Sequence, residues 1–530
     1  MKAARTLLEA TLLAYGVLAP PEDVERAAYQ LGAVLRRLEP LEGVRAEEAP
    51  KDLVWPDVRT DGRQAPHAGS RPRTASIRGP GADDVLRLSL VEVARAIRRK
   101  HLSPVEVTEA ALRRIEEVNP RLGAFLWVDA DRALVYARRA EEDASHGRFW
   151  GPLHGVPMAL KDLIAEEGAP WTCGSPLRHD VVAERDAAVT ARLRLSGALF
   201  VGRTHLHEWA YGVSNDNPHF GPARNPWDPS RSPGGSSGGS GAALAACCIY
   251  GSVGTDTGGS IRIPAALCGV VGLKPTYGLL PTEGVFPLSW SLDHVGPMAR
   301  TVEDVAVLLG ILRGRPFRIS PDVRGLRAGV LRGDLWSVVH PDVARVVDDA
   351  IQEIRALGVE VTEVSVEGAV AAAVATALLM VEASTVHLPL LRTRVLEYGR
   401  DVRERLLVGL ALAGERYVRA RQVRHVLVRR VVEEVFGRVD VLLTPTVPVP
   451  APILGEETTD VLGKSYDTRS LLTRFTNPFN ALGLPSLSVP CGFVEGLPVG
   501  LQVIGRPMEE ATVLRVGMAY ERARGPFPLP

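Results

Sequence analysis

Residues 233–264 read PGGSSGGSGAALAACCIYGSVGTDTGGSIRIP, and the reading of the whole chain turns on this tract. A linker would be polar and repetitive throughout. This tract instead holds an apolar run, Ala242–Tyr250, and closes on Ile261-Arg262-Ile263-Pro264. Glycine beside serine points to backbone brought close to a reacting group, because glycine lacks a Cβ and reaches positive φ. A serine among such glycines can expose its hydroxyl while neighbouring N–H groups face an oxyanion. The tract therefore suggests nucleophilic catalysis.

Acyl transfer needs a nucleophile, a proton carrier and an oxyanion site. The segment TDTGGSIR offers the first and third together: Ser260 to attack, and the N–H groups of Thr257, Gly258, Gly259 and Ser260 to face the oxyanion. Ser236 or Ser237 could carry the proton. A base is less obvious. Lys161 follows the apolar run Val156–Leu160 in GVPMALKDL; it reads either as a strand-end lysine paired with Asp162 or as a desolvated amine able to accept a proton. No Lys-Ser or Lys-Thr follows a GxxxxG, which argues against a phosphate loop. Neither Ser236 nor Ser260 sits in a G-x-S-x-G elbow. His205-Leu206-His207-Glu208 could set two imidazoles on one face of a strand, but no H-E-x-x-H accompanies them. A structural role beside Trp209 and Tyr211 is the expectation there. Serine–serine–lysine is preferred to serine–histidine–aspartate.

With 530 residues the chain can build a large core, and length alone allows roughly two to four domains. Acidic and basic residues balance at 62 each, so no global charge draws it to nucleic acid or an anionic membrane. Lysine occurs only at positions 2, 51, 100, 161, 274 and 464, which makes Lys161 worth weighing. The five cysteines show no C-x-x-C spacing, so a reducing, cytoplasmic location is expected, with neither a disulfide scaffold nor a zinc ribbon. No stretch is read as a membrane span of ~20 apolar residues.

Residues 1–45 read as two helices, Ala4–Leu18 and a second starting near Pro21-Glu22-Asp23 with proline and acids in its first turn. Residues 6–19 look a little like a signal peptide, yet Glu9 interrupts the run and an amphipathic helix suits it better. Residues 46–81 dissolve into charge, proline and glycine, the composition of a linker. Helical spacing returns at Leu90–Arg98, where Ser89 can cap, and at Ser103–Val118. Beyond residue 123, strand candidates (Phe125–Val128, Ala198–Gly202, Arg327–Leu331, Val359–Val364, Asp440–Thr444) alternate with helical stretches (Ala187–Leu195, Val302–Leu312, Pro341–Leu357, Val402–Phe436). This alternation predicts an α/β fold, with residues 82–526 as one catalytic domain and 320–470 its least patterned lobe.

GVPMALKDL, RNPWDPSRSPGGSSGGSGAALAA and GTDTGGSIRIPAALCGVVGLKPTYG resemble, in order and spacing, the core of the amidase signature family. SWSLDHVGPMARTVEDVAVLL, DVLLTPTVP and NPFNALGLPSLSVPCGFVEGLPVGLQVIG are similar to its later segments. The resemblance implies a mixed central sheet flanked by helices, plus the small N-terminal helical segment. It further implies a triad of Lys161 as base, Ser236 as bridging serine on a cis peptide, and Ser260 as acylated nucleophile. Thr257–Ser260 would form the oxyanion loop, and Ser237, Asp256 and Arg262 would support the triad by hydrogen bonds. No metal or organic cofactor is implied. The expected activity is hydrolysis of a small-molecule amide by a free-standing enzyme, with a homodimer as a family-based expectation and no nucleic-acid or membrane partner.

Two alternatives stand beside it. One is a ureido-compound hydrolase of the carboxybiuret type. The other is the A-type glutaminase subunit of a tRNA-dependent amidotransferase. The N-terminal segment faintly resembles that complex's small C-type subunit, as though fused in cis; an unrelated helical hairpin reads equally simply. That branch has Met-Asp before Glu-Phe where this chain has Leu206-His207-Glu208-Trp209, and its glutamine-holding aspartate would align near Thr473, where no acid stands. A non-enzymatic scaffold is disfavoured by Lys161, Ser236 and Ser260 occurring together.

Overall fold

The computed structural model describes residues 2–45, Trp55, 82–317 and 319–530. The expected linker, 46–81, lies outside the described residues apart from Trp55. In chain order the strands are β1 (Phe125–Val128), β2 (Val156–Lys161), β3 (Ala198–Thr204), β4 (Gly251–Asp256), β5 (Val271–Lys274), β6 (His294–Ala299), β7 (Arg327–Leu331), β8 (Glu360–Val364), β9 (Val441–Pro445), β10 (Thr458–Val461), β11 (Lys464–Asp467), β12 (Ser486–Val494) and β13 (Leu497–Gly505). Eleven of them form one sheet in the order β1-β3-β2-β4-β6-β5-β12-β13-β9-β7-β8, and β10–β11 is a separate hairpin. The sheet is mixed: β2 runs parallel to both β3 and β4, whereas β6 and β12 pair antiparallel with their neighbours.

Its central strands are covered on both faces, and they read as continuous runs where a half-exposed strand would alternate. All six residues of β2, VPMALK, are buried. β4, GSVGTD, has little β propensity, yet it too is buried throughout. Its small residues let neighbouring side chains lie close: a Cβ on Gly254 would sit 2.8 Å from Ser237 Oγ. Lys161 and Asp256 are the last residues of adjacent parallel strands, so both emerge at one end of the sheet, where open α/β sheets place their sites.

Expected boundaries hold within a few residues for helices Leu90–Arg98, Pro104–Leu122, Val302–Leu312 and Pro341–Ala356. The Ser89 cap is a full capping box with Glu92. Three expectations need correction. The first N-terminal helix spans Lys2–Tyr15, stopping short of Leu18 because Gly16 turns left-handed at φ +69. The continuous stretch Val402–Phe436 is broken at Ala411–Ala413 into Arg400–Leu410 and Gly414–Arg430, followed by a π turn. The lobe 320–470 also holds a helix that periodicity does not reveal, Gly368–Arg394, and it is long and apolar enough to cross a membrane. Here it is a core helix. Its Glu382 and His387 are buried and matched to polar groups of neighbouring elements, Ser289, Ser291 and Tyr398.

The N-terminal pair, Lys2–Tyr15 and Pro21–Leu38, packs onto helices Arg400–Leu410 and Gly368–Arg394 in one apolar cluster that includes Leu8, Leu31, Leu38, Leu378 and Leu406. Gln30 Nε2 donates to Glu404 at 2.7 Å, and Arg403 comes within 2.8 Å of the buried Asp23 carboxylate. Arg392 reaches back to the Tyr15 carbonyl at 2.8 Å.

Candidate active site

Lys161 Nζ, at the end of β2, lies 2.7 Å from Ser236 Oγ and 2.8 Å from Thr255 Oγ1. Lys161 and Ser236 are wholly buried, while Ser260 keeps 5% of its surface open. The Gly235–Ser236 peptide is cis. Ser237 takes a different place from Ser236: its N–H donates to the Ser260 carbonyl at 3.1 Å and its hydroxyl to the Thr255 carbonyl at 3.3 Å. Of the two candidate proton carriers, only Ser236 touches the lysine. No hydrogen bond joins the Ser236 and Ser260 hydroxyls in this conformation. Such contacts often tighten only when substrate is bound.

Burial lowers the Lys161 amine to about 7, against the pull of the Asp256 and Asp293 carboxylates. A large neutral fraction is then present near neutral pH. The lysine is therefore a desolvated amine held by two hydroxyls, and no ion pair joins it to Asp162. Asp162 instead lies 3.5 Å from the buried Arg203 and accepts the Thr172 hydroxyl and N–H.

Behind the nucleophile loop, Asp256 organises the turn. It accepts the Gly259 N–H at 2.9 Å and the Ile261 N–H at 3.2 Å, and meets Arg262 through Nε at 3.0 Å and a terminal nitrogen at 2.9 Å. Burial alone would raise its carboxyl; the Arg262 guanidinium overrides that and holds it well below the usual range. Arg262 is in turn satisfied by Gln502 Oε1 at 2.7 Å and Asn480 Oδ1 at 2.6 Å. The pair is thus fully bonded, the condition under which a buried charge pair is tolerated. Thr476 Oγ1 donates to the Gly258 carbonyl at 2.7 Å, and a Cβ on Gly259 would fall 2.3 Å from that hydroxyl, so the loop can close down only on glycine.

This geometry changes one expectation. Of the four N–H groups the sequence offers as oxyanion donors, that of Gly259 is turned to Asp256 at 2.9 Å. Thr257 is fixed from the side: its hydroxyl donates to Asp293 at 2.6 Å. Burial raises the Asp293 carboxyl to about 6, although Thr257 and the Leu288 and Ser289 N–H groups oppose it. Sequence reasoning misses Thr255, Asp293, Thr476, Asn480 and Gln502. Thr255 stands directly before Asp256 in the glycine–serine tract itself; the others come from distant segments, and only the fold brings them in.

His205 and His207 do not share a strand. β3 ends at Thr204; His205 bonds the Gly221 carbonyl at 3.0 Å and Asn215 at 2.9 Å, while His207 turns to Asp401 at 2.8 Å. Among the described residues no group of histidine, cysteine and acidic side chains is arranged to hold a metal.

Known proteins carry the same span. The Amidase family model matches residues 106–514. Over 474 residues the chain is 40% identical to the A-type subunit of the glutamyl-tRNA(Gln) amidotransferase of Chloroflexus aurantiacus, covering 82% of this chain and 96% of that protein. Over 462 residues it is 41% identical to an amidase of Pseudomonas putida, with the same two coverages of 82% and 96%. A crystal structure of an amidase matches with a TM-score of 0.79 at 38% identity, over 83% of this chain and 100% of that one. Sheet, serine tract and sequence agree: the chain belongs to the amidase family, enzymes that hydrolyse the C–N bond of an amide.

Proposed function

We propose that this amidase acts through a Ser260 acyl-enzyme, with Lys161 as general base and Ser236 as relay. The observation that carries this reading is the buried Lys161 amine 2.7 Å from Ser236 Oγ, lowered to about 7 by burial. As Ser260 Oγ bonds to the amide carbon, its proton passes to Ser236, whose own proton passes to Lys161. The carbonyl π pair moves onto oxygen and is met by the N–H groups of Thr257, Gly258 and Ser260. Collapse of the intermediate breaks the C–N bond, and the leaving nitrogen takes the proton back through Ser236. Water repeats the sequence on the ester and frees the acid.

A free-standing hydrolase of small amides is the reading we favour, acting in a reducing compartment such as the cytoplasm; all five cysteines carry free thiols, which supports that location. A homodimer is part of the same proposal. The second reading, the glutaminase component of an amidotransferase, is favoured by the 40% identity to such a protein, while the absence of an acid at Thr473 weighs against it.

The test is labelling by a serine-directed fluorophosphonate together with ammonia release from an amide panel that includes glutamine. Label is expected on Ser260, with Ser260→Ala and Lys161→Ala both inactive yet folded. Because only the neutral amine accepts a proton, kcat/KM should climb as pH rises through about 7 and then level off. Near-wild-type turnover by either variant would sink the mechanism. Glutamine as sole substrate, with a tightly held second protein, would select the second reading.

A further inference from the structure

Tyr211 lies under two guanidinium groups. Arg405 Cζ is 5.0 Å and Arg469 Cζ 5.7 Å from its ring centroid. Arg405 is neutralised: its terminal nitrogen donates to Asp401 Oδ2 and to the Tyr211 carbonyl, both at 2.5 Å. Arg469 is not. Among the described residues no carboxylate stands within ion-pair reach of it. Asp467, the acid that acts on it electrostatically, is engaged elsewhere: it caps the helix Thr468–Leu472 through the Ser470 N–H at 2.8 Å and lies 3.6 Å from Arg37. Burial, with the Arg405 charge beside it, pushes the Arg469 guanidinium down to about 10. The Tyr211 hydroxyl is buried and also lacks a partner among the described residues. A half-buried guanidinium without a carboxylate partner and a buried hydroxyl without one thus meet on a single tyrosine, and an anion reaching both would complete them.

These groups belong to the catalytic neighbourhood. Two residues past Tyr211, the backbone carbon of Val213 lies 2.9 Å from where a Cβ on Gly235 would be, and His207 N–H holds the Ser236 carbonyl at 3.2 Å. On the other side, the Arg469 carbonyl accepts the Thr473 N–H at 3.1 Å, and Thr476, less than a turn further, grips the oxyanion loop at Gly258. One segment thus joins Tyr211 to the relay serine, and the other joins Arg469 to the loop around the nucleophile.

We infer that Arg469 and Tyr211 form a subsite for a carboxylate carried by the amide substrate, so that the enzyme's substrates are amide acids. This rests on the amide-hydrolase reading above. A guanidinium fork matches a planar carboxylate in two parallel hydrogen bonds, and a tyrosine hydroxyl can donate a third.

The test compares amides that differ only in that charge: malonamate with propionamide, succinamate with butyramide, glutaramate with valeramide. Wild type should favour the carboxylate member of at least one pair by on the order of tenfold or more in kcat/KM, as one charge-assisted contact allows. Arg469→Gln should bring that ratio to about one through a higher KM for the anion, and Arg469→Lys should keep part of it. Equal loss on both members would mean that Arg469 only braces Tyr211, and preference for the neutral member would overturn the subsite. A second measurement does not need turnover: malonate, succinate or glutarate should raise the melting temperature of wild type at constant ionic strength, and of Arg469→Gln much less. If Ser260 labels and neutral amides are cleaved but no dicarboxylate stabilises the protein, the subsite fails and the hydrolase stands. If dicarboxylates bind through Arg469 and no amide is cleaved, the subsite stands and the hydrolase reading fails.

Discussion

A neutral lysine amine has two N–H donors and one lone pair, and a general base is useful only if the lone pair points at the proton it takes. Lys161 has two oxygens in reach, Ser236 Oγ at 2.7 Å and Thr255 Oγ1 at 2.8 Å. If Thr255 accepts an N–H, the lone pair is turned to Ser236. Under the proposed mechanism Thr255 is therefore a positioning residue. Thr255→Val, nearly the same shape, should cut kcat/KM by roughly tenfold to a hundredfold, the worth of one buried hydrogen bond to a functional group, and slow fluorophosphonate labelling in parallel. Thr255→Ser should restore most of both. Valine at wild-type rates would show that burial alone orients the amine. This residue also marks how far the sequence could be read. Ser260 and Ser236 are legible because glycines announce them, and Lys161 because lysine is rare here and follows an apolar run. Thr255 carries no such mark: one threonine in a glycine-rich strand gains its role only when β4 is laid beside β2.

Elements show the same division. Helices Leu90–Arg98 and Val302–Leu312 and strands Phe125–Val128 and Arg327–Leu331 have the bounds the sequence predicts, because one face or one cap writes a period into each. Helix Gly368–Arg394 is apolar on every side, being packed on several, and so has no period to read. Its one buried acid does the most for the site. Glu382 accepts Ser289 Oγ at 2.7 Å, Ser291 N at 3.0 Å, Ser291 Oγ at 2.7 Å and Tyr417 OH at 3.0 Å. It thereby pins the loop in which Asp293 accepts the Leu288 and Ser289 N–H groups and the Thr257 hydroxyl. Glu382→Ala leaves the buried Ser289 hydroxyl and the half-buried Ser291 and Tyr417 donors without this acceptor and should cost about 2–4 kcal/mol in urea unfolding. Ser260 labelling should slow with it, because Thr257 loses its anchored support. A destabilised variant that labels at the wild-type rate would separate helix from site and refute the coupling.

At the scale of the whole molecule, the N-terminal helices read from the sequence as a small helical segment of their own, and in the structure they form part of the core. Leu8, Leu31 and Leu38 share one apolar cluster with Val402, Leu406 and Leu378, and Arg419 donates to the carbonyls of Leu41 and Val44. What the sequence hid is that Arg400–Leu410 is covered on the side the segment occupies. Apolar surface returned to water costs about 25 cal/mol per Å², so exposing that helix weakens the lobe 320–470, which also carries Arg469. A chain lacking residues 1–45 should therefore melt several degrees lower and bind a hydrophobic dye. Among the described residues the segment approaches Arg469 by the ion pair of Arg37 with Asp467, at 3.6 Å, and makes no ion pair with Lys161, Ser236 or Ser260, so Ser260 should still label wherever the truncated chain stays folded. Supplying residues 1–45 as a separate peptide should raise the melting temperature with peptide concentration, as binding to the native state alone requires. A truncated chain that melts with the intact one would make the segment an appendage. A chain that loses label while holding its melting temperature would make it part of the active site.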